Sequence, residues 1–204
     1  EAGAPRDALT GLPDVGNLRL RLENWLAQAA STGETARVHA LLLGLRRFDA
    51  INLTYGAAAG DAALAEIAGR ISHFAAREPD GAWSLARSSG GNFLLVADEP
   101  CSRERWQLFG EQLADAIARP IIAPSGVLRL SPRVALLRGL AEEGVASMLD
   151  RLGLALTNAQ RQQGRRIAWA DGEATRPGRT AAELEADLLR ALDRDEIEIV
   201  FQPQ

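Results

Sequence analysis

Cysteine is almost absent. Cys101 is the only one in 204 residues, which excludes an internal disulfide and a thiolate metal cluster and suits a reducing compartment. Long apolar runs are missing too: the longest, Ala40-Leu41-Leu42-Leu43 ahead of Gly44, is far too short to cross a bilayer, and no basic region followed by an apolar one opens the chain. Positive charge is not in excess. With 23 Lys+Arg against 27 Asp+Glu the net charge is −4, which argues against nucleic-acid partners and against membrane contact, since both need a cationic face. Histidine is scarce, and His39 and His73 have no companions at ligand spacing, so each reads as a surface residue of a strand or helix. No internal repeat or heptad array is visible.

What is present is the make-up of an ordinary globular protein, 47% hydrophobic and 25% charged, long enough for one full domain and a remnant of another. The chain opens at Glu1, not at methionine, which fits a segment of a longer protein with sensor or membrane parts upstream; tag removal or processing would leave the same end. A cytoplasmic location is the expectation.

Periodicity gives the elements. Residues 1–6 read as linker. Asp14 is placed to cap a helix with Leu18, Leu22, Trp25, Leu26 and Ala29 on one face. Residues 37–45 form a strand whose unbroken apolar run suits a central position covered on both faces. A short helix over 48–55 and a longer one burying Leu64, Ile67, Ile71 and Ala75 follow, the latter ended by Pro79-Asp80-Gly81. Ser102 reads as the cap of a helix with Trp106, Phe109, Leu113 and Ile117 inward, closed by Pro120. Residues 121–137 read as a hairpin around Pro124-Ser125-Gly126, 145–162 as a helix presenting Met148, Leu149, Leu152, Leu156 and Ala159, and 166–170 as an edge strand. Trp25, Trp83, Trp106 and Trp169 fall where aromatics pack a core or a sheet face. The order of elements predicts an α+β fold, a mainly antiparallel central sheet flanked by helices.

The most telling stretch is Leu85-Ala86-Arg87-Ser88-Ser89-Gly90-Gly91-Asn92-Phe93-Leu94-Leu95-Val96-Ala97. Two strand-length apolar runs flank a Gly-Gly pair able to take the positive φ of a tight turn, which by itself means only a hairpin. Upstream lie Asp7-Ala8-Leu9-Thr10-Gly11-Leu12-Pro13 and Arg47-Phe48-Asp49-Ala50-Ile51-Asn52, with Gly60-Asp61 beyond. Together these resemble the diguanylate cyclase family, the GGDEF domains, over residues 7 to 170, with the signature altered to Ser89-Gly90-Gly91-Asn92-Phe93.

The resemblance implies a site that joins two GTP molecules, with two divalent cations held by carboxylates where strands converge. The family's two metal-binding acids fall here on Gly44 and Gly91, its adjacent acidic position on Asn92, and its phosphate-side lysine on Gln160. The expectation is therefore no cofactor, lost Mg²⁺ binding and no catalytic residue. The family's product-inhibition motif falls on Asp80-Gly81-Ala82-Trp83 and is absent, so cyclic di-GMP is not expected there. Its guanine-reading pair corresponds to Asn52 and Asp61, and Arg87 is a candidate phosphate contact. On the residues alone, Asn52 could cap a turn, Asp61 could cap the following helix, and Arg87 could lie on a strand surface.

Residues 171–180 read as an interdomain linker. Residues 181–204, with the helix-like Glu183-Leu184-Glu185-Ala186-Asp187-Leu188-Leu189-Arg190-Ala191-Leu192, resemble the opening of an EAL domain, the cyclic di-GMP phosphodiesterase module. The acidic cluster Asp193, Asp195, Glu196 and Glu198 reads as a solvated face. The leading expectation is a catalytically inactive regulatory or dimerising GGDEF module whose partners are the adjoining EAL domain, an upstream sensor region and a second copy. Its rivals are a GTP-binding sensor that tunes the phosphodiesterase, and a weak residual cyclase recruiting metal through Asp49 or Asp61.

Overall fold

The computed structural model describes residues 5–33, 37–138, 144–162 and 164–170. The linker and EAL-like readings at 171–204 lie outside the described residues. Helix α1 (Val15–Thr32) starts where Asp14 accepts the backbone N–H of Asn17 at 3.0 Å and stops at Gly33, left-handed at φ 72. Strand β1 (Val38–Leu45) leads to α2 (Phe48–Tyr55) and α3 (Ala57–Ala75). The hairpin follows as β2 (Ala82–Arg87) and β3 (Asn92–Asp98), then α4 (Arg103–Ala118), capped by Ser102. Two short strands, β4 (Ile121–Ala123) and β5 (Gly126–Leu128), precede β6 (Pro132–Arg138), α5 (Val145–Arg161) and β7 (Ile167–Trp169).

Five strands form one sheet in the order β2-β3-β1-β6-β7, antiparallel except for the β6–β7 pair. β1 is central. Its Leu41, Leu43 and Leu45 meet α3 and α4 on one face, while Val38, Ala40 and Leu42 meet α1 and α5 on the other. The strand's period of two thus divides its apolar run between two cores, the reason the run is unbroken. This is the expected α+β architecture.

Three expectations need correcting. The segment 121–137 is not one hairpin: β4 and β5 pair only with each other, and β6 leaves them to join the main sheet beside β1, where its six buried residues find cover. In the β2–β3 turn only Gly90 takes a positive φ, at 54, and Gly91 does not need one.

The third concerns His39, which is fully buried and not a surface residue, because α4 covers that face of β1. Its ring lies 5.2 Å from Trp106, whose indole N–H donates to the Ala40 carbonyl at 3.2 Å. Nδ1 sits 3.0 Å from the Arg37 carbonyl and Nε2 3.3 Å from that of Cys101. Burial holds His39 below the ordinary histidine range, helped by the Arg138 guanidinium and opposed by those two carbonyls and Glu99. His73 on α3 is exposed, as expected.

Because the fold keeps His39 less basic than the unfolded chain does, unfolding takes up a proton at low pH. This contribution is present above the ordinary value of 6.5 and is lost as pH falls from there through the lower value His39 has in the fold. Urea midpoints should drop from pH 7.5 to pH 5.5, and His39→Leu should flatten that dependence. An unchanged slope in the variant would show that acid sensitivity arises elsewhere.

Candidate functional site

The cleft of interest opens where β1 ends. The backbone N–H of Arg46 bonds the Ser131 carbonyl at 3.0 Å, and the chain then turns at Arg47, φ 55 and ψ 37. Arg47 is the only non-glycine with positive φ among the described residues. A side chain there costs about 1–2 kcal/mol relative to ordinary backbone, a strain that concentrates at functional sites. α2 begins directly after it with no side-chain cap.

α2 and α3 meet at Gly56, whose N–H bonds the Asn52 carbonyl at 3.0 Å. The Asn52 amide oxygen lies against Gly60 so closely that a methyl group at position 60 would overlap it, so the glycine is required for Asn52 to rest there. Asp61 follows in the second turn of α3. It is not the cap of that helix, which already starts at Ala57.

The hairpin approaches from the other side. Arg87, at the end of β2, donates from Nε to the Gly90 carbonyl at 3.0 Å and pairs with Asp7 at 3.3 Å. Asp7 in turn accepts the Thr10 hydroxyl at 2.7 Å and the Thr10 N–H at 2.8 Å. The Thr10 hydroxyl, with further help from the Thr10 amide and Arg87, holds the Asp7 carboxyl below its usual range despite partial burial. The amino-terminal motif therefore buckles the hairpin in place through a contact 80 residues apart, which local spacing could not show.

These elements enclose an open cleft of about 400 Å³, which Asn52, Asp61, Arg87, Gly90, Gly91 and Gln160 all line. Leu45, Arg46, Arg47, Phe48, Asp49 and Leu64 complete the wall. The three residues singled out for guanine-nucleotide contact share one cavity, although they come from α2, α3 and β2. Arg46 is not singled out in the sequence and Arg47 only as the first residue of the Arg47–Asn52 stretch, because a pair of arginines after a strand looks like any solvated turn. Ser89 is exposed at the turn and Phe93 is buried in the core.

Behind the cleft, Gly44 is in register with Asn92 on one side and Arg133 on the other, so the three share a sheet face. α5 covers that face. A Cβ built on Gly44 would lie 2.7 Å from Gln160 Nε2 and 2.8 Å from both Asn92 Oδ1 and Leu156 Cδ2. The space above the strand at this point is thus filled by two amides and a leucine. Gly91 is looser, with its nearest neighbours Leu45 and Phe48 at 3.3 and 3.4 Å. Among the described residues no group of three or more His, Cys, Asp or Glu side chains is arranged to hold a metal ion. All 23 basic residues are arginine, so no lysine reaches the cleft. Arg133 is buried, its Nε has no partner, and burial followed by repulsion from Arg46 and Arg166 lowers its basicity.

Alanine in place of a strand glycine normally gains about 0.5–1 kcal/mol, whereas overpacking costs about 1–3 kcal/mol, so at Gly44 packing should win. Gly44→Ala is expected to lower stability by about 1–2 kcal/mol in urea melts while Gly91→Ala stays within about 0.5 kcal/mol. Equal effects would mean that α5 yields at Gly44.

The family model "Diguanylate cyclase, GGDEF domain" matches residues 4–166. The protein Rv1354c of Mycobacterium tuberculosis is 29% identical over 202 residues, covering 98% of this chain and 31% of its own length. The chain therefore spans about a third of that relative. Among solved structures, the GGDEF domain of DgcB from Caulobacter crescentus, in complex with c-di-GMP, superposes with a TM-score of 0.73 at 21% identity, over 84% of this chain and 99% of that one. The diguanylate cyclase SiaD of Pseudomonas aeruginosa, in complex with its activator SiaC, gives 0.71 at 23% identity, over 80% and 61%. At these identities the structural likeness is one of fold, and the family assignment rests on the sequence model. A sheet with β1 at its centre, a Gly-Gly hairpin beside it and a family match over residues 4–166 lead to one conclusion: this chain belongs to the diguanylate cyclase, GGDEF domain, family.

Proposed function

We propose that this GGDEF domain has lost cyclase chemistry and works as a regulatory module of a cytoplasmic cyclic di-GMP signalling protein, passing signals between an upstream region and an EAL domain begun by residues 181–204. The observation that carries this reading is the state of the two ligand positions. Gly44 and Gly91 offer no side-chain oxygen, and the tips of Gln160, Asn92 and Leu156 reach into the space where a side chain at position 44 would begin. Two amides are poor substitutes for carboxylates toward a hard cation. The residues present do not fit the divalent ions the family's reaction uses, and charge developing on a transferred phosphate would lack its main stabiliser.

A second reading is favoured by the shared cleft: a guanine-nucleotide sensor. Asp61 can accept from guanine N1–H and its exocyclic amine, and Asn52 can add an amide hydrogen bond. The support is that both line the same cavity as Arg87, with Asn52 seated on Gly60. The two readings are compatible, since a domain without turnover can still report occupancy.

Incubation with GTP and Mg²⁺ at high protein concentration should yield no cyclic di-GMP by mass spectrometry; product above background would overturn the inactive reading and favour residual catalysis through Asp49 or Asp61. For the sensor, calorimetry should show GTP binding weakened about tenfold or more in Asn52→Ala/Asp61→Ala, the loss expected from hydrogen bonds to a charged group. Equal binding by that variant would remove guanine recognition from these residues.

A further inference from the structure

We propose that the outer edge of β7 takes residues 173–175 of this same chain as a further, antiparallel strand, which straps the linker to the sheet. The contact stands whether or not the domain turns over GTP, and its use as a signalling link rests on the regulatory reading proposed above.

β7 closes the sheet and pairs with β6 alone. The Val134 N–H bonds the Arg166 carbonyl at 2.8 Å, and the Ala170 N–H bonds the Leu136 carbonyl at 2.8 Å. Backbone groups alternate sides along a strand, so those of Arg166, Ala168 and Ala170 face β6 while those of Ile167 and Trp169 face outward. Among the described residues the outward groups have no partner. The strand is Ile167-Ala168-Trp169, with no charge or proline of its own to turn another strand away.

There is room beside it. A groove of about 530 Å³ runs between β7 and α4, with Gln107, Glu111 and Asp115 of the helix and Arg165, Ile167 and Trp169 of the strand among its lining. The three helix residues are spaced four apart and so share one face of α4. An edge strand with a groove alongside is the arrangement by which extended segments add to sheets, backbone to backbone, with alternate side chains entering the groove.

The chain supplies the occupant, because it leaves β7 directly into Ala170-Asp171-Gly172. The Ala170 N–H is taken by Leu136 and its carbonyl by Arg151, whose Nη2 lies 3.1 Å away. Ala170 therefore cannot pair with a returning strand, which excludes a two-residue turn at Asp171-Gly172. A three-residue loop over 170–172 keeps Ala170 out of the pairing and sets glycine at its third position, where this loop needs a left-handed residue. In that register Glu173 stands opposite Trp169 and Thr175 opposite Ile167.

Trp169 and Ile167 pack against the core on the α4 side, so Glu173 and Thr175 come to that side as well. Glu173 then meets positive charge, since the Arg103 guanidinium lies 3.7 Å over the Trp169 ring. Thr175 is β-branched and suits a strand. Pro177, next in the row, has no N–H to give, and pairing stops there. With Pro177 held at the edge, an extended chain reaches about 13 Å to residue 181, where the EAL-like sequence opens, against about 36 Å from Ala170. The strap turns a long tether into a short one.

Amide exchange followed by NMR on this chain reads the contact. The N–H groups of Ile167 and Trp169 should exchange about tenfold or more slowly than in Gly172→Val, whose branched side chain opposes the left-handed turn, and than in Thr175→Pro, which removes a donor. The Thr175 N–H should be protected in the wild type and lose that protection in Gly172→Val. Gly178→Val, beyond the strap, should leave all three protected, and every variant should keep a Tm close to that of the wild type. Rapid exchange of these amides in the wild type, or protection of Ile167 and Trp169 that survives both strap variants, overturns the proposal; if the surviving protection fades on dilution, a second copy covers the edge instead. Cyclic di-GMP formation from GTP would remove the regulatory use and leave the contact standing.

Discussion

The structure depends on one strand being buried on both faces. β1 is paired along its length with β3 and β6, and its alternate residues feed two cores, so it has no freedom to slide or twist without exposing one of them. Everything of interest follows from where it ends. Gly44 is the last position but one, and the turn at Arg46-Arg47 follows directly from a strand paired on both sides. The cleft is therefore anchored on its β1 side to the centre of the sheet, and the hairpin and α2 complete it.

A glycine at the end of a central strand costs conformational entropy and leaves a gap, and unfilled gaps in a packed interior are destabilising. Here the gap is filled from α5 by Gln160 and Leu156 and from β3 by Asn92. Three side chains from two elements converge on the point where a side chain at position 44 would begin. On the reading proposed above, the domain keeps a cleft lined by Asn52, Asp61 and Arg87 while the two positions expected to bind metal are glycine.

The same logic explains the amino-terminal motif. Asp7 lies far in sequence from the hairpin, yet its carboxylate is organised by Thr10 and presented to Arg87. A salt bridge at the surface contributes little by itself, about 0–1 kcal/mol, so its value here is positional: it sets the direction of a side chain at the mouth of the cleft.

The sequence by itself determined the α+β class, the positions of the helices and main strands, the caps at Asp14 and Ser102, and the central place of β1, because periodicity, capping residues and an unbroken apolar run are local properties of the chain. It also determined that positions 44 and 91 carry no carboxylate. Only the tertiary structure decided that β6 leaves the 121–137 segment for the main sheet and that His39 is buried beneath Trp106. It alone decided that Arg46 and Arg47 line the cleft with Asn52 and Asp61, and that the space above Gly44 is filled. Each of these turns on which face of an element another element covers, and such contacts join residues whose separation along the chain carries no local signal.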